Sequence, residues 1–128
     1  EHAVVVYGRD GLDEVSLGGA TMVGEYKDGG IAEYEIHPED FGLTMAGSRA
    51  LKVETPEQSK ALLLAVLENE PGPARDIVLL NAGVALYAAN VCATMADGVA
   101  KARAALASGA ALAKMNQFVA ATQRLAQG

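Results

Sequence analysis

The chain has 128 residues and a formal net charge of −6, from 10 Lys and Arg against 16 Asp and Glu. That length allows one domain or part of a larger one, and the acidic balance argues against the basic footprint of a nucleic-acid binder. With 51% hydrophobic and 20% charged residues it is no disordered tail, and with 5% aromatics and no Trp its core must be built from Ala, Val and Leu.

The chain opens Glu1-His2 and enters an apolar run at once, Ala3 to Tyr7, ending at Gly8. A continuous β-branched run of this kind reads as a strand buried on both faces, the signature of a parallel sheet. Its abrupt start suggests a chain cut in front of a strand. Gly8-Arg9-Asp10-Gly11 is a turn, and Leu12 to Leu17 reads as a second short extended piece. Thr21–Lys27 and Ile31–Ile36 flank Asp28-Gly29-Gly30, a hairpin signal. In the second arm Ala32, Tyr34 and Ile36 fall on one face and Glu33 and Glu35 on the other. His37 to Gly42 closes this region as a turn.

The period then changes. Thr55-Pro56 with Gln58 is a capping-box pattern, so a helix is predicted from Pro56 to about Asn69. A second runs from Pro73 to about Ala89 or Asn90, after the break Pro71-Gly72. Thr94 with Asp97 starts a third, ending at Ser108-Gly109, and a fourth runs from about Ala110 to Ala126 with Leu112, Met115, Phe118, Val119, Thr122 and Leu125 along one stripe. The strands are too few for a sheet of their own, again pointing to a piece of a larger α/β domain. Ile77–Ala96 holds 20 uncharged residues, but Asn81, Asn90, Thr94 and abundant Ala mark it as buried helix rather than membrane span. No signal peptide is visible. The lone Cys92 forms no internal disulfide, which fits a reducing, cytoplasmic setting, and its apolar surroundings suggest a core position.

Chemistry concentrates in Gly8-Arg9-Asp10-Gly11-Leu12-Asp13-Glu14. A buried strand delivers a glycine-bracketed turn followed by two carboxylates, and ligands of open α/β sheets sit at strand carboxyl ends. Asp13 and Glu14 offer two hard oxygen ligands suited to Mg²⁺, which substrate phosphates often complete, and Gly8 and Gly11 allow close backbone approach to a phosphate. Spacing alone favours the plainer view, two of sixteen acids in a surface turn. Neither His2 nor His37 has a partner at metal-ligand spacing. Asn81, amid Ile77-Val78-Leu79-Leu80, reads as a buried amide bonded to neighbouring backbone, and Arg9 and Lys27 as solvated ends.

Gly8 to Leu17 resembles the G-x-D-G-L-D-E segment of anthranilate phosphoribosyltransferases, and the resemblance continues in order. Glu25 to Gly30 falls at that family's hairpin, Pro38 to Leu43 looks like its P-E-D-F-G-L turn, Gly72 to Ala82 like its G-x-x-R-D-x-V-x-L-N-A helix, and Ser108 to Lys114 like its S-G-x-A-x-x-K joint. The resemblance implies the C-terminal part, residues 1–128, of the large α/β domain of a nucleoside phosphorylase/phosphoribosyltransferase fold: few strands, a β-hairpin, then about four helices. It implies transfer of the 5-phosphoribosyl group of PRPP to anthranilate with release of pyrophosphate, in tryptophan biosynthesis, by a cytoplasmic homodimer. It carries Mg²⁺ binding onto Asp13 and Glu14. The helical domain, the PRPP loop and the catalytic contacts would lie upstream, in a missing N-terminal part that partners this chain, so the chain alone is expected to be inactive. Tyr7 stands where many members have His, and Gly18-Gly19-Ala20-Thr21 lacks the Pro of their T-G-P-T stretch. The rival readings are a pyrimidine nucleoside phosphorylase-like enzyme and a non-catalytic binding or assembly module.

Overall fold

The computed structural model describes all 128 residues. Three strands, β1 (His2–Gly8), β2 (Thr21–Lys27) and β3 (Gly30–Ile36), precede four helices: α1 (Pro56–Leu67), α2 (Pro73–Ala88), α3 (Met95–Ala107) and α4 (Ala110–Gln127). Short 3-10 turns at Pro38–Phe41 and Ser48–Leu51 connect the two halves.

The sheet corrects two expectations. It is wholly antiparallel, in the order β1-β2-β3, and its strands do form a sheet by themselves. β1 is an edge strand, paired along its whole length from His2↔Lys27 to Gly8↔Thr21. It is not buried on both faces: His2, Val4 and Val6 are half-buried, whereas Val5 and Tyr7 are 71% and 57% exposed. An uninterrupted apolar run fits either geometry, because only one face of this sheet is covered by helix while the other carries Val5, Tyr7 and Ile31 into solvent. The hairpin forms where expected. Asp28 and Gly29 both take positive φ (52° and 83°), the combination that matches a two-residue turn to the twist of its strands. Glu33 and Glu35 face solvent while Ile36 is buried, as the alternation predicts.

Leu12–Leu17 is no strand. It is an irregular segment that nevertheless buries Val15, Ser16 and Leu17 to within 2% exposure. Val15 and Leu17 join Val23 and Ile36 of the sheet, Leu43 of the connector that follows it, Met95 of α3, and Ile77, Leu80 and Val84 of α2 in one core cluster. A second cluster, Val66, Leu79, Val99, Ala102 and Leu106, ties α1, α2 and α3 together. Full burial of each such aliphatic side chain stabilises by about 1.5–3 kcal/mol.

The helix boundaries follow local chemistry. The Thr55 and Thr94 hydroxyls accept hydrogen bonds from the Gln58 and Asp97 N–H groups, at 3.1 and 3.0 Å, capping α1 and α3. α2 and α3 meet glycine to glycine: a methyl added at Gly98 would lie 2.1 Å from the Gly83 carbonyl oxygen, and one at Gly83 2.5 Å from Val99 Cγ2. The stripe on α4 forms but stays largely uncovered, with Phe118 63% and Leu125 75% exposed. Cys92 lies in the connector between α2 and α3, half-buried, rather than inside a helix or the core, because α2 stops at Ala88. No helix is long and apolar enough to cross a membrane.

Candidate functional site

The loop from Gly8 to Thr21 is built around one carboxylate. Asp10 sits between two glycines that leave it room: a Cβ at Gly8 would be 2.7 Å from Asp10 Oδ1, and one at Gly18 2.9 Å from Asp10 Oδ2. The Ser16 hydroxyl donates to Asp10 Oδ2 (2.5 Å) and accepts from the Gly18 N–H (2.9 Å), while the Leu12 N–H donates to Asp10 Oδ1 (3.4 Å). The Ser16 N–H donates to Thr21 Oγ1 (3.0 Å), and the Ala46 N–H to the Leu17 carbonyl (3.0 Å). The buried stretch Val15–Leu17 needs such partners, since its backbone has no ladder to satisfy it.

The inner side of the loop is held by α2. Asn81 Oδ1 accepts the Val15 N–H at 2.9 Å, and Asn81 Nδ2 donates both to the Val15 carbonyl (2.9 Å) and to the Ile77 carbonyl one turn back (3.0 Å). Asn81 is half-buried rather than fully buried, and besides the neighbouring Ile77 its main partner is a backbone unit 66 residues away.

Between these supports stand Asp13 and Glu14, both exposed. Their carboxylates enter no hydrogen bond or ion pair within the chain, and Glu14 lies on the rim of a 250 Å³ depression between α1 and α2 lined by Leu62, Val66, Ala74 and Ile77. No three His, Cys, Asp or Glu residues cluster closely enough to hold an ion by themselves. Two free hard-oxygen donors nevertheless suit Mg²⁺, which retains waters and takes its remaining ligands from phosphates. Gly8 is buried beneath Asp10, where an added Cβ would meet Asp10 Oδ1, and Gly11 turns the chain with φ 94°. Arg9 pairs with Glu35 on the exposed sheet face.

A second polar group, absent from the motif reading, lies at the far end of the sheet. Glu25 accepts hydrogen bonds from Tyr87 (2.5 Å), Tyr34 (2.8 Å) and His2 (2.8 Å), and the other ring nitrogen of His2 faces Asn90 Oδ1 at 2.9 Å. Lys27 Nζ sits 4.9 Å above the Tyr87 ring. Burial pushes the Glu25 carboxyl up, but the bonds from Tyr87, Tyr34 and His2 outweigh it and leave the group below the usual carboxylate range. The bond to Glu25, with burial second, raises the Tyr87 phenol; burial, with Glu25 second, raises that of Tyr34. The only sequence trace of this cluster is the polar residues at inward-facing strand positions.

The family model described as "Glycosyl transferase family, a/b domain" matches residues 1–112. The chain belongs to that family. Anthranilate phosphoribosyltransferase from Paracidovorax citrulli is 75% identical over all 128 residues, which cover 37% of that relative, and its namesake from Polaromonas is 71% identical over 126 residues, covering 36%. The chain thus spans little more than a third of the curated relatives it matches. Among solved structures, anthranilate phosphoribosyltransferase from Thermus thermophilus superposes with a TM-score of 0.84 at 40% identity, covering 93% of this chain and 35% of that one. The Saccharomyces cerevisiae enzyme in complex with PRPP and Mg gives 0.84 at 25% identity, covering 94% and 35%. The matched third of these solved structures therefore shares this mixed α/β unit of three strands and four helices.

Proposed function

We propose that this chain is the C-terminal portion of the a/b domain of an anthranilate phosphoribosyltransferase and that Asp13 and Glu14 hold the Mg²⁺ that accompanies PRPP. The observation that carries the reading is the 75% identity to a protein of that name along the whole chain. The free carboxylates on the braced loop and a structural neighbour with PRPP and Mg support the metal assignment. The reading assigns the reaction to tryptophan biosynthesis in a cytoplasmic homodimer. It leaves the anthranilate contacts and the PRPP loop to residues outside these 128, so the chain alone is inactive.

In the proposed reaction the amino nitrogen of anthranilate bonds to C1 of the ribose, the C1–O bond to pyrophosphate breaks, and the nitrogen loses a proton. When bound, Mg²⁺ neutralises the charge that develops on the departing pyrophosphate. Asp13 and Glu14 take no part in proton transfer. Their task is to present two oxygens at a fixed point beside the diphosphate, where positioning and electrostatics govern the rate.

The test uses the complete protein with anthranilate, PRPP and Mg²⁺, following the loss of anthranilate fluorescence. Asp13→Asn combined with Glu14→Gln is expected to lower turnover about 100-fold or more. Unchanged turnover at saturating Mg²⁺ removes the metal assignment. Failure of the parent protein to consume anthranilate removes the reaction.

A further inference from the structure

We infer that Asn81 and Asp10 are positioning residues for the Asp13–Glu14 pair, pinning the chain on either side of it so that the two carboxylates stand in one arrangement before any ligand arrives. This rests on the metal-holding role proposed above.

The geometry is that of a short span between two fixed points. Upstream, Asp10 accepts the Leu12 N–H at 3.4 Å. Downstream, Asn81 grips both polar groups of Val15, the residue that follows Glu14 directly, at 2.9 Å each. Gripping N–H and C=O together fixes the rotation of that backbone unit as well as its position. The second Asn81 N–H is anchored on Ile77 of its own helix, so the amide cannot swing. Only a primary amide at this length meets all three partners: a carboxylate would set oxygen against the Val15 and Ile77 carbonyls, and an aliphatic side chain would leave the Val15 groups unpaired in the core. Asp10 is tied down in turn by Ser16 and enclosed by Gly8 and Gly18. Between the pins only Asp13 and Glu14 reach solvent without a partner of their own, as expected of ligand oxygens held ready by their supports.

The test measures Mn²⁺ binding to the complete protein in the presence of PRPP, reading free Mn²⁺ by electron paramagnetic resonance. Asn81→Leu keeps the volume and removes the grip; Asp10→Ala removes the other pin from the solvent side. Each is expected to weaken Mn²⁺ binding about 10- to 100-fold. Each should also raise the metal concentration needed for half-maximal activity more than it lowers the rate at saturating metal, a split that loss of folded protein alone does not produce. Hydrogen exchange at the Val15 amide should quicken in Asn81→Leu. The Asp13→Asn, Glu14→Gln protein separates the two readings. If it binds Mn²⁺ like the parent, the metal site is wrong. If it loses Mn²⁺ while whichever of Asn81→Leu and Asp10→Ala folds binds like the parent, the positioning inference is overturned.

Discussion

The crossing of α2 and α3 makes Gly98→Ala the sharpest test of the packing. The added methyl would stand 2.1 Å from the Gly83 oxygen, 2.8 Å from its carbonyl carbon and 3.0 Å from its Cα, all backbone atoms with no rotamer to change. A carbon and a carbonyl oxygen come no closer than about 3.3 Å, so the helices must separate locally by about 1.2 Å. A gap of that size forfeits a quarter to a half or more of each dispersion contact across it, and Leu79, Val99 and Ala102 lie along the same seam. Overpacking of this kind costs about 1–3 kcal/mol and occasionally more, against about 1 kcal/mol returned by the better helix propensity of alanine. A clash against backbone puts the cost at the upper end of that range, about 3 kcal/mol, so the expected net loss is about 2 kcal/mol, read as the shift in the urea midpoint followed by circular dichroism at unchanged m-value. Gly83→Ala should cost a similar amount, and the double variant less than their sum, because one separation relieves both clashes. Arg103→Ala, on the exposed face of α3, should stay within about 0.5 kcal/mol of the parent. A Gly98→Ala protein as stable as the parent, or more so, refutes the close crossing.

The Glu25 cluster sets an acid limit. Its carboxyl lies below its unfolded value, so its contribution is complete above about pH 4.5 and is lost as pH falls through the lower folded value. Tyr87→Phe removes the 2.5 Å donor and should cost about 1.5–3 kcal/mol at neutral pH, with the loss shrinking in acid, as checked by urea titrations at pH 7 and pH 3. The raised tyrosines act at the other end: their share is complete below pH 10 and fades above it. At the hairpin, Gly29→Ala forces a side chain into φ 83° and should cost about 1–2 kcal/mol in the same assay, whereas Gly19→Ala, with open space around it, should cost less.

The helical half was legible from residues alone because its signals are local. Thr55 and Thr94 cap where a hydroxyl precedes a helix, Pro56 and Pro73 sit at first turns, and Gly109 in the left-handed region separates α3 from α4. The Asp28-Gly29 turn was readable for the same reason. Partnership was not. Ala3–Tyr7 is equally apolar whether its neighbour runs parallel or antiparallel, and nothing in Leu12–Leu17 says that its buried backbone is served by an amide 66 residues on. At the site, Asp13 and Glu14 stood out by their place after a glycine-bracketed turn. Asp10, in the same motif, did not: its role depends on Ser16 and on the space at Gly8 and Gly18, relations that exist only once the loop has closed.

The edge position of β1 has a practical consequence. One side of that strand leaves N–H and C=O groups without a ladder, and its residues from Ala3 to Tyr7 carry neither charge nor proline, the features with which sheet margins ordinarily discourage intruders. Where nothing pairs with that side, as in this chain purified by itself at high concentration, strand-on-strand pairing between copies is the expected outcome. A lysine in place of Val5, pointing outward from the uncovered face, is the economical way to keep it in solution.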